Sequence, residues 1–300
     1  MSKIKYWVEA FRLRTLPLSL SCIILGAFLA YGDGPFSWRT SLLALLTTLF
    51  LQILSNLAND YGDFSHGVDN VGRRGPERTL QAGKLSPRAM KTAILLFAVL
   101  SLLSGVALIL SGTAGLLSAE ALLFLLLGLL AIGAAIKYTA GKHPYGYYGL
   151  GDLFVFLFFG LAGVLGTYYL NTHRLSADLL LPASAMGFLA TGVLNLNNMR
   201  DLEHDRRNGK RTLAVLLGPV GSRYYHLALL TLALVNSLAY IALHYHSPWQ
   251  FLFLIILPPL VQNLRVVFSS PPAEALDPYL KKLALTSLIY SLTFGAGMMM

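Results

Sequence analysis

The chain has 300 residues, of which 55% are hydrophobic and 12% are charged, and its mean hydropathy is +0.61. A soluble domain usually carries about 25% charged residues, so this composition excludes an ordinary soluble protein and indicates a polytopic membrane protein. The net charge of +9 does not require a nucleic-acid partner, because Lys and Arg collect on the cytoplasmic side of membrane proteins, and we predict that none is bound. The single cysteine, Cys22, excludes an intrachain disulfide.

The N-terminal segment places basic residues before an apolar run. Residues 4–14 combine Trp7 and Phe11 with Lys5 and Arg12, a pattern typical of a short helix at the membrane interface. A signal peptide is the alternative, but the apolar run that follows is long enough to span a bilayer and further runs come after it. We therefore predict an interfacial helix followed by the first transmembrane helix.

Nine apolar runs, each of roughly the 20 residues that a bilayer requires, predict about nine transmembrane helices. Helices are expected because the backbone polar groups of a span must be satisfied internally within lipid. The predicted fold class is therefore all-α, with the helices around a central cavity. In chain order the spans are 16–32, 40–61, 90–111, 115–138, 151–170, 179–199, 224–244, 248–268 and 281–299.

The basic residues predict the orientation of these helices. If the N-terminus is cytoplasmic, 21 of the 23 Lys and Arg residues lie on the inner side, and only Arg39 and Arg174 lie outside. A miscounted helix would scramble this asymmetry, so it supports both the count and the orientation.

The acidic residues show a second pattern, because seven of the 14 lie in only two of the inner connections. The positive-inside rule gives no reason for such clustering. The two regions also resemble each other: they read N-L-A-N-D-Y-G-D (56–63) with R-T-L (78–80), and N-L-N-N-M-R-D (195–201) with R-T-L (211–213). This similarity predicts one membrane domain with two related halves, roughly 1–145 and 146–300, arranged as a parallel repeat. Chance similarity between two short loops is the alternative.

The spacing of the acids predicts a metal site. Asn59 and Asp63 are four residues apart, as are Asp201 and Asp205, while Asn198 is three residues before Asp201. Residues at these spacings share one face of a helix. Their oxygen atoms are the ligands that Mg²⁺ prefers, with water and substrate phosphates completing the shell. Two clusters on one membrane face could serve two ions.

Basic residues beside the acids predict a phosphate-bearing substrate. Arg73, Arg74, Arg78, Lys210 and Arg211 lie next to the two clusters, and Arg and Lys are the usual phosphate binders. The alternative is that these cations only enforce the topology. A substrate with a diphosphate head and a long apolar tail would explain why the acids lie at the bilayer surface: the head stays in water while the tail runs between the helices.

Both acidic motifs, N-D-x-x-D-x-x-x-x-x-D (59–69) and N-x-x-D-x-x-x-D (198–205), resemble those of the UbiA-type intramembrane prenyltransferases. The stretches Q-I-L-S-N-L-A-N-D-Y-G-D (52–63) and Y-G-Y-Y-G-L-G-D (145–152) narrow the resemblance to the branch that acts on 1,4-dihydroxy-2-naphthoate in menaquinone biosynthesis. The resemblance covers the whole chain. It implies an enzyme of the bacterial cytoplasmic membrane that uses two Mg²⁺ ions to transfer a polyprenyl group, such as octaprenyl, from its diphosphate to the naphthoate. Carbon dioxide and diphosphate leave, giving demethylmenaquinone.

The resemblance also implies roles for individual residues. The implied metal ligands are Asn59, Asp60, Asp63, Asp69, Asn198, Asp201 and Asp205. Position 67, where the family often has an acid, is glycine, so Asp69 could instead orient a ligand or an arginine. The implied diphosphate contacts are Arg78, Lys142, Lys210 and Arg211, and the implied catalytic residues are Asp63, Asp201, Asp205, Tyr138 and Asp152.

Other interpretations of these residues are open. Tyr138 could stabilise a developing cation through its ring, while Tyr145 and Tyr147 are better explained as part of an interfacial aromatic belt. Asp152 could instead stabilise a helix N-terminus. For the whole chain, the alternatives are the same chemistry on 4-hydroxybenzoate and, in another class, an ion-coupled transporter, whose sites usually lie nearer the midplane. Neither the prenyl chain length nor the oligomeric state follows from the sequence.

Overall fold

The computed structural model describes residues 3–68 and 78–300, and within these ranges all regular structure is helical. The prediction of an all-α membrane fold is therefore confirmed. We number the helices α1 (Lys3–Phe11), α2 (Leu16–Asp33), α3 (Trp38–Ser65), α4 (Pro87–Gly112), α5 (Ala119–Lys137), α6 (Gly151–Thr172), α7 (Leu180–Arg200), α8 (Leu202–Arg207), α9 (Leu213–Leu243), α10 (Pro248–Phe268) and α11 (Asp277–Met299).

Eight helical segments of the described chain are long and apolar enough to cross a membrane, close to the predicted nine. The ninth predicted span, 281–299, is part of α11, which has 23 residues but is not one of the eight. Its buried hydroxyl residues explain its lower hydropathy. Ser287 and Ser291 donate hydrogen bonds to the backbone carbonyls of Leu283 and Ser287 within the same helix, which satisfies them without a partner helix.

A short helix, α1, is present where residues 4–14 predict an interfacial helix. Trp7 and Phe11 pack towards α3 and α4, and the Phe11 ring meets the edge of Phe97 with centroids 5.3 Å apart. Arg12 then leaves the helix with a left-handed φ of 49°. This turn brings the basic residues after α1 to the end of the bundle that carries the acidic motifs.

The length of α3 explains how it presents its acidic motif. The helix has 28 residues, whereas about 20 residues are enough to cross the hydrocarbon core. It begins at the N-cap Ser37, whose side chain accepts a hydrogen bond from the Thr40 amide. The surplus turns lie at its C-terminal end, where Asn59 and Asp63 are found.

Close helix contacts shape the middle of the bundle. The central part of α6, Phe156–Leu165, is π-helical, a local widening that often occurs at functional sites. A Cβ atom at Gly160 would lie 2.7 Å from the Cα of Gly187, so only glycine lets α6 approach α7 this closely. In contrast, α5 packs mainly on α3 and α4, and most of its leucines face outwards, as lipid-facing residues do. The division into two related halves stays a prediction.

Candidate active site

A cavity of about 470 Å³ lies at the end of the bundle where α3 and α7 end. One end of it is polar, and the rest runs between apolar side chains of α5 and α6. The polar lining consists of Arg12, Arg14, Asn59, Asp63, Arg78, Tyr138, Thr139, Tyr147, Asn197, Asn198, Arg200, Asp201, His204, Asp205, Lys210 and Asp277, among others. Both acidic motifs therefore contribute to one site, as predicted.

Asp63 faces this cavity with three donors around its carboxylate. Lys210 Nζ lies 2.7 Å from Oδ1, and the Tyr147 hydroxyl donates a hydrogen bond of 2.8 Å to the same oxygen. A terminal nitrogen of Arg78 lies 3.5 Å from Oδ2. The Lys210 ammonium also lies 4.7 Å from the centroid of the Tyr147 ring. Lys210, which follows the second motif, thus joins it to an acid of the first.

Asp60 occupies a different environment from Asp63, although the two are only three residues apart. It is 2% exposed, it forms ion pairs with Arg12 and Arg78, and it is not part of the cavity lining. Its prediction as a metal ligand therefore finds no support in the geometry. Instead, Asp60 holds two arginines that do line the cavity.

The second acidic motif is held by an arginine of its own. Arg200 is 2% exposed and forms a bidentate pair with Asp201, at 2.9 Å from Nε to Oδ1 and 2.7 Å from Nη2 to Oδ2. The remaining terminal nitrogen of Arg200 lies 2.6 Å from Asp277 of α11, and Arg14 contacts the other oxygen of Asp277 at 3.3 Å. Asp205 follows on α8, with its amide donating to the Asp201 carbonyl at 2.8 Å.

The asparagines of the motifs also line the cavity. The amide oxygen of Asn59 accepts a 3.2 Å hydrogen bond from the Thr139 hydroxyl, and Asn198 lies across from it on α7. Thr139 packs directly on the α3 backbone, since a Cβ atom at Gly62 would lie 2.5 Å from its carbonyl carbon. The glycine in N-D-Y-G-D thus lets the chain after α5 approach the acid-bearing turn.

Tyr138 and Asp152 are neighbours, but only Tyr138 lines the cavity. Desolvation, and next the carboxylate of Asp152, raises the pKa of the Tyr138 phenol well above its usual value of 10.0, so it stays neutral. Asp152 is 5% exposed in the first turn of α6, where it is hydrogen-bonded to Tyr225. Its Oδ1 has no hydrogen-bond partner within the described part of the chain. Because Asp152 does not line the cavity, its carboxylate would act on a bound substrate only indirectly, through Tyr138.

Two of the predicted phosphate contacts, Lys142 and Arg211, do not line this cavity, and their roles stay predictions. Lys142 is exposed and is not part of the lining. Arg211 is also exposed, and its backbone amide, rather than its side chain, connects it to the site by donating to the Tyr147 carbonyl at 2.9 Å. The predicted ligand Asp69, with Arg73 and Arg74, lies outside the described residues.

Several residues at the site did not follow from sequence reasoning. Arg12 and Arg14 look like ordinary basic residues flanking a first span, and Tyr147 like part of an aromatic belt. Asp277 lies 72 residues or more beyond both motifs and carries no local signal. The only available clue was for Arg200, which directly precedes an acid of the motif.

The donor set around the cavity fits a hard cation. The side chains of Asn59, Asp63, Asn198, Asp201 and Asp205 offer oxygen atoms only, as Mg²⁺ prefers. Over residues 3–68 and 78–300, no three His, Cys, Asp or Glu side chains lie close enough together to hold a metal ion by themselves. The residues therefore fit magnesium in a site that is completed by ligands from water and a substrate.

Comparison with known proteins gives this site a family. Residues 19–286 match the sequence profile of the UbiA prenyltransferase family. The chain belongs to this family. It is 45% identical over 297 residues to a 1,4-dihydroxy-2-naphthoate octaprenyltransferase of Escherichia coli K12, covering 99% of this chain and 96% of the relative.

Two further comparisons agree with the family assignment. A Haemophilus influenzae protein with the same name is 43% identical over 299 residues, covering 99% of this chain and 96% of that relative. A solved structure of a UbiA homolog from Archaeoglobus fulgidus bound to GPP and Mg²⁺ is 20% identical and has a TM-score of 0.65, covering 96% of this chain and 98% of the other. That structure shares the fold. The chain is therefore a multi-pass membrane protein of the UbiA family.

Proposed function

We propose that this protein transfers an octaprenyl group from octaprenyl diphosphate to 1,4-dihydroxy-2-naphthoate. The products are diphosphate, carbon dioxide and demethylmenaquinol, the reduced form of demethylmenaquinone. The observation that carries the proposal is a single cavity with Asp63, Asp201 and Asp205 at one end and apolar walls along the rest. The names of the relatives at 43–45% identity support the choice of donor and acceptor.

The donor binds with its diphosphate at the polar end and its tail along the apolar walls. The apolar side chains that line the cavity along the path of the tail include Phe124, Leu125, Phe154, Phe158 and Phe159 from α5 and α6. At the polar end, Lys210 and Arg78 contact Asp63. Cations in such positions can turn towards phosphate oxygens, with which they form charge-assisted hydrogen bonds.

The acidic ends of α3 and α7 would hold magnesium in this reaction. The Archaeoglobus homolog with GPP and Mg²⁺ supports this. We propose that Asn59, Asp63, Asn198, Asp201 and Asp205 hold two ions. When bound, the ions would neutralise the diphosphate as a leaving group.

The remaining residues orient the reactants and exclude water. The carbon–oxygen bond of the donor breaks, and the electron-rich ring of the acceptor forms a carbon–carbon bond at the carbon that bears the carboxylate. Cleavage of the ring–carboxylate bond releases carbon dioxide and restores aromaticity. The neutral ring of Tyr138 lies at the cavity wall, where its face can stabilise positive charge on the allylic carbon. The Tyr138 ring packs closely on Gly151, directly before Asp152, because a Cβ atom at Gly151 would lie 3.0 Å from it.

The site faces the cytoplasm in this proposal. The placement of 21 of the 23 Lys and Arg residues supports a cytoplasmic N-terminus and cytoplasmic acidic motifs in the bacterial inner membrane. Both substrates would then reach the site from the side on which a cell makes soluble aromatic acids and prenyl diphosphates.

An assay with two acceptors tests the proposal. Purified protein in liposomes receives octaprenyl diphosphate with 1,4-dihydroxy-2-naphthoate or with 4-hydroxybenzoate, each with Mg²⁺ or with EDTA. We expect magnesium-dependent product from the naphthoate only. Product from 4-hydroxybenzoate alone would overturn the acceptor, and transfer that persists in EDTA would overturn the metal.

A variant pair tests the role of the acids. Asp63→Asn keeps the size of the side chain but removes its charge, and we expect the transfer rate to fall by about 100-fold or more, the usual loss when a group that stabilises developing charge is removed. The control is Glu120→Gln, an exposed acid that contacts His173 at 3.8 Å, does not line the cavity and lies at the opposite end of α5 from Tyr138. If both variants retain the wild-type rate, Asp63 has no part in catalysis.

A further inference from the structure

A second cavity of about 880 Å³ lies at the same end of the bundle as the active site. It is formed by the end of α7, by α8, by the kinked part of α9, by the end of α10 and by the connection to α11. Arg200 and His204 line both cavities and so form the wall between them. The proposed reaction uses the first cavity only, which leaves the second without a role.

Two arginines in the second cavity have no ion-pair partner within residues 3–68 and 78–300. Arg207 is exposed and Arg223 is half-buried, and among the described residues neither lies within ion-pair distance of a carboxylate. The neighbouring Arg206, which does not line the cavity, pairs with Glu203 at 3.0 Å. Guanidinium groups at a concave site bind phosphate through two parallel hydrogen bonds.

The backbone adds to the positive character of the cavity. Gly218 has a non-helical φ of 70°, so that α9 is kinked and a helical segment of 25 residues begins at Pro219. The first turn of this segment, including Pro219 and Ser222, lines the cavity next to Arg223. A first helical turn carries amide groups without helical acceptors and the positive end of the helix dipole.

The other lining residues do not cancel this charge, and some are apolar. Two carboxylates line the cavity. Glu203 forms an ion pair with Arg206, and the other carboxylate is that of Glu274. Val267 and Leu276 form an apolar wall beside the polar groups. Such a combination suits a phosphate group that is attached to an apolar body at the membrane surface.

We propose that the second cavity binds a phosphate-bearing anion through Arg207 and Arg223. The ligand is either the headgroup of an anionic phospholipid or a free diphosphate. In both cases the phosphate lies beside Arg200, the residue that holds Asp201 at the active site.

The test measures binding to the full-length protein without prenyl substrate or acceptor. One arm measures how much phosphatidylglycerol the protein retains by native mass spectrometry after release from nanodiscs of mixed phosphatidylglycerol and phosphatidylcholine. The other arm titrates inorganic diphosphate into protein in phosphatidylcholine nanodiscs, with EDTA present. Because both arms leave out the reaction, their failure and the failure of the proposed function are independent.

The double variant Arg207→Gln/Arg223→Gln is compared with Arg88→Gln, which removes an exposed positive charge at the start of α4, outside the lining of the second cavity. An arginine near an anionic surface contributes roughly a fivefold factor in affinity, so we expect the double variant to bind about 25-fold more weakly and the control to bind within about twofold of wild type. The single variant Arg207→Gln, at an exposed position, should bind about fivefold more weakly than wild type. It keeps the test valid if the double variant fails to fold.

The pattern across the two arms identifies the ligand. If the Arg207 variants lose binding of phosphatidylglycerol only, the ligand is a lipid headgroup. If they lose binding of diphosphate only, the ligand is a soluble anion. If the Arg207 variants match Arg88→Gln with both probes, the second cavity is not an anion site.

Discussion

Replacing Asp60 with asparagine separates two roles for this residue, a metal ligand or an anchor for two arginines. Its carboxylate is 2% exposed and pairs with Arg12 and Arg78, whose side chains are 19% and 11% exposed. Asparagine has the same shape and keeps one oxygen as a hydrogen-bond acceptor. The variant therefore removes the negative charge and leaves two largely buried guanidinium groups without it.

The expected cost follows from this burial. Breaking a buried ion pair by removing one partner costs about 3–5 kcal/mol. The retained amide oxygen, and the 3.5 Å contact of Arg78 with Asp63, recover part of this, so we expect a loss of about 3 kcal/mol in the free energy of unfolding. For a chain of this size, 1 kcal/mol corresponds to roughly 2–3 °C in Tm, which gives a decrease of about 6–9 °C.

The assay is a thermal melt of the purified protein in detergent, repeated over a range of Mg²⁺ concentrations, together with the magnesium dependence of transfer. We expect a lower Tm for Asp60→Asn and an unchanged magnesium requirement. The control Glu9→Gln removes an exposed ion pair to Lys84 of 3.5 Å, worth at most about 1 kcal/mol, and should shift Tm by about 3 °C or less.

The opposite result would refute the anchor role. If Asp60→Asn melts like the wild type but needs far more Mg²⁺ for activity, Asp60 is a metal ligand and the ion pairs are incidental. A double variant provides a second check. Adding Arg12→Gln to Asp60→Asn removes one unpaired charge, so the double variant should be more stable than Asp60→Asn alone.

Two further predictions concern the surroundings of Asp63. Gly62→Ala places a Cβ atom 2.5 Å from the Thr139 backbone and should lower the free energy of unfolding by about 1–3 kcal/mol through overpacking. The control Gly32→Ala, whose Cβ atom would have nothing within 4 Å, should not lower Tm. Equal melting temperatures for the two variants would show that α3 and the chain after α5 do not touch at Gly62. Tyr147→Phe removes the 2.8 Å hydrogen bond to Asp63 but keeps the ring. A hydrogen bond to a charged group contributes about 1.5 kcal/mol to stability, so Tm should fall by about 3–4 °C; a wild-type Tm would show that this bond does not hold Asp63 in place.

The sequence predicts well whatever depends on local periodicity. Apolar runs of sufficient length define the helices, and α1 is found where Trp7 and Phe11 alternate with basic residues. The ninth span shows the limit of this reasoning, because the hydroxyl groups of α11 bond to their own backbone and hydropathy alone does not reveal how they are satisfied. Spacing also predicted that Asp63, Asp201 and Asp205 would contribute to one site, because both motifs end inward-running helices.

Spacing could not distinguish between neighbouring residues of one motif. Asp60 and Asp63 are three residues apart and share a face of α3, so periodicity treats them alike. Arg12, which follows α1, forms an ion pair with Asp60, and Asp60 does not line the cavity. Lys142 and Arg211 show the converse, since both follow helices that reach the site but their side chains turn away from it.

By itself, the sequence determined the all-α membrane fold, the family and the presence of two acidic helix ends, because hydrophobic length, short motifs and helical spacing are properties of contiguous residues. Only the tertiary structure decided which charges meet. The pairing of Arg200 with Asp277 joins positions 77 residues apart, and the contact of Lys210 with Asp63 joins the two motifs. Such contacts depend on how whole helices pack against one another, which no local pattern records.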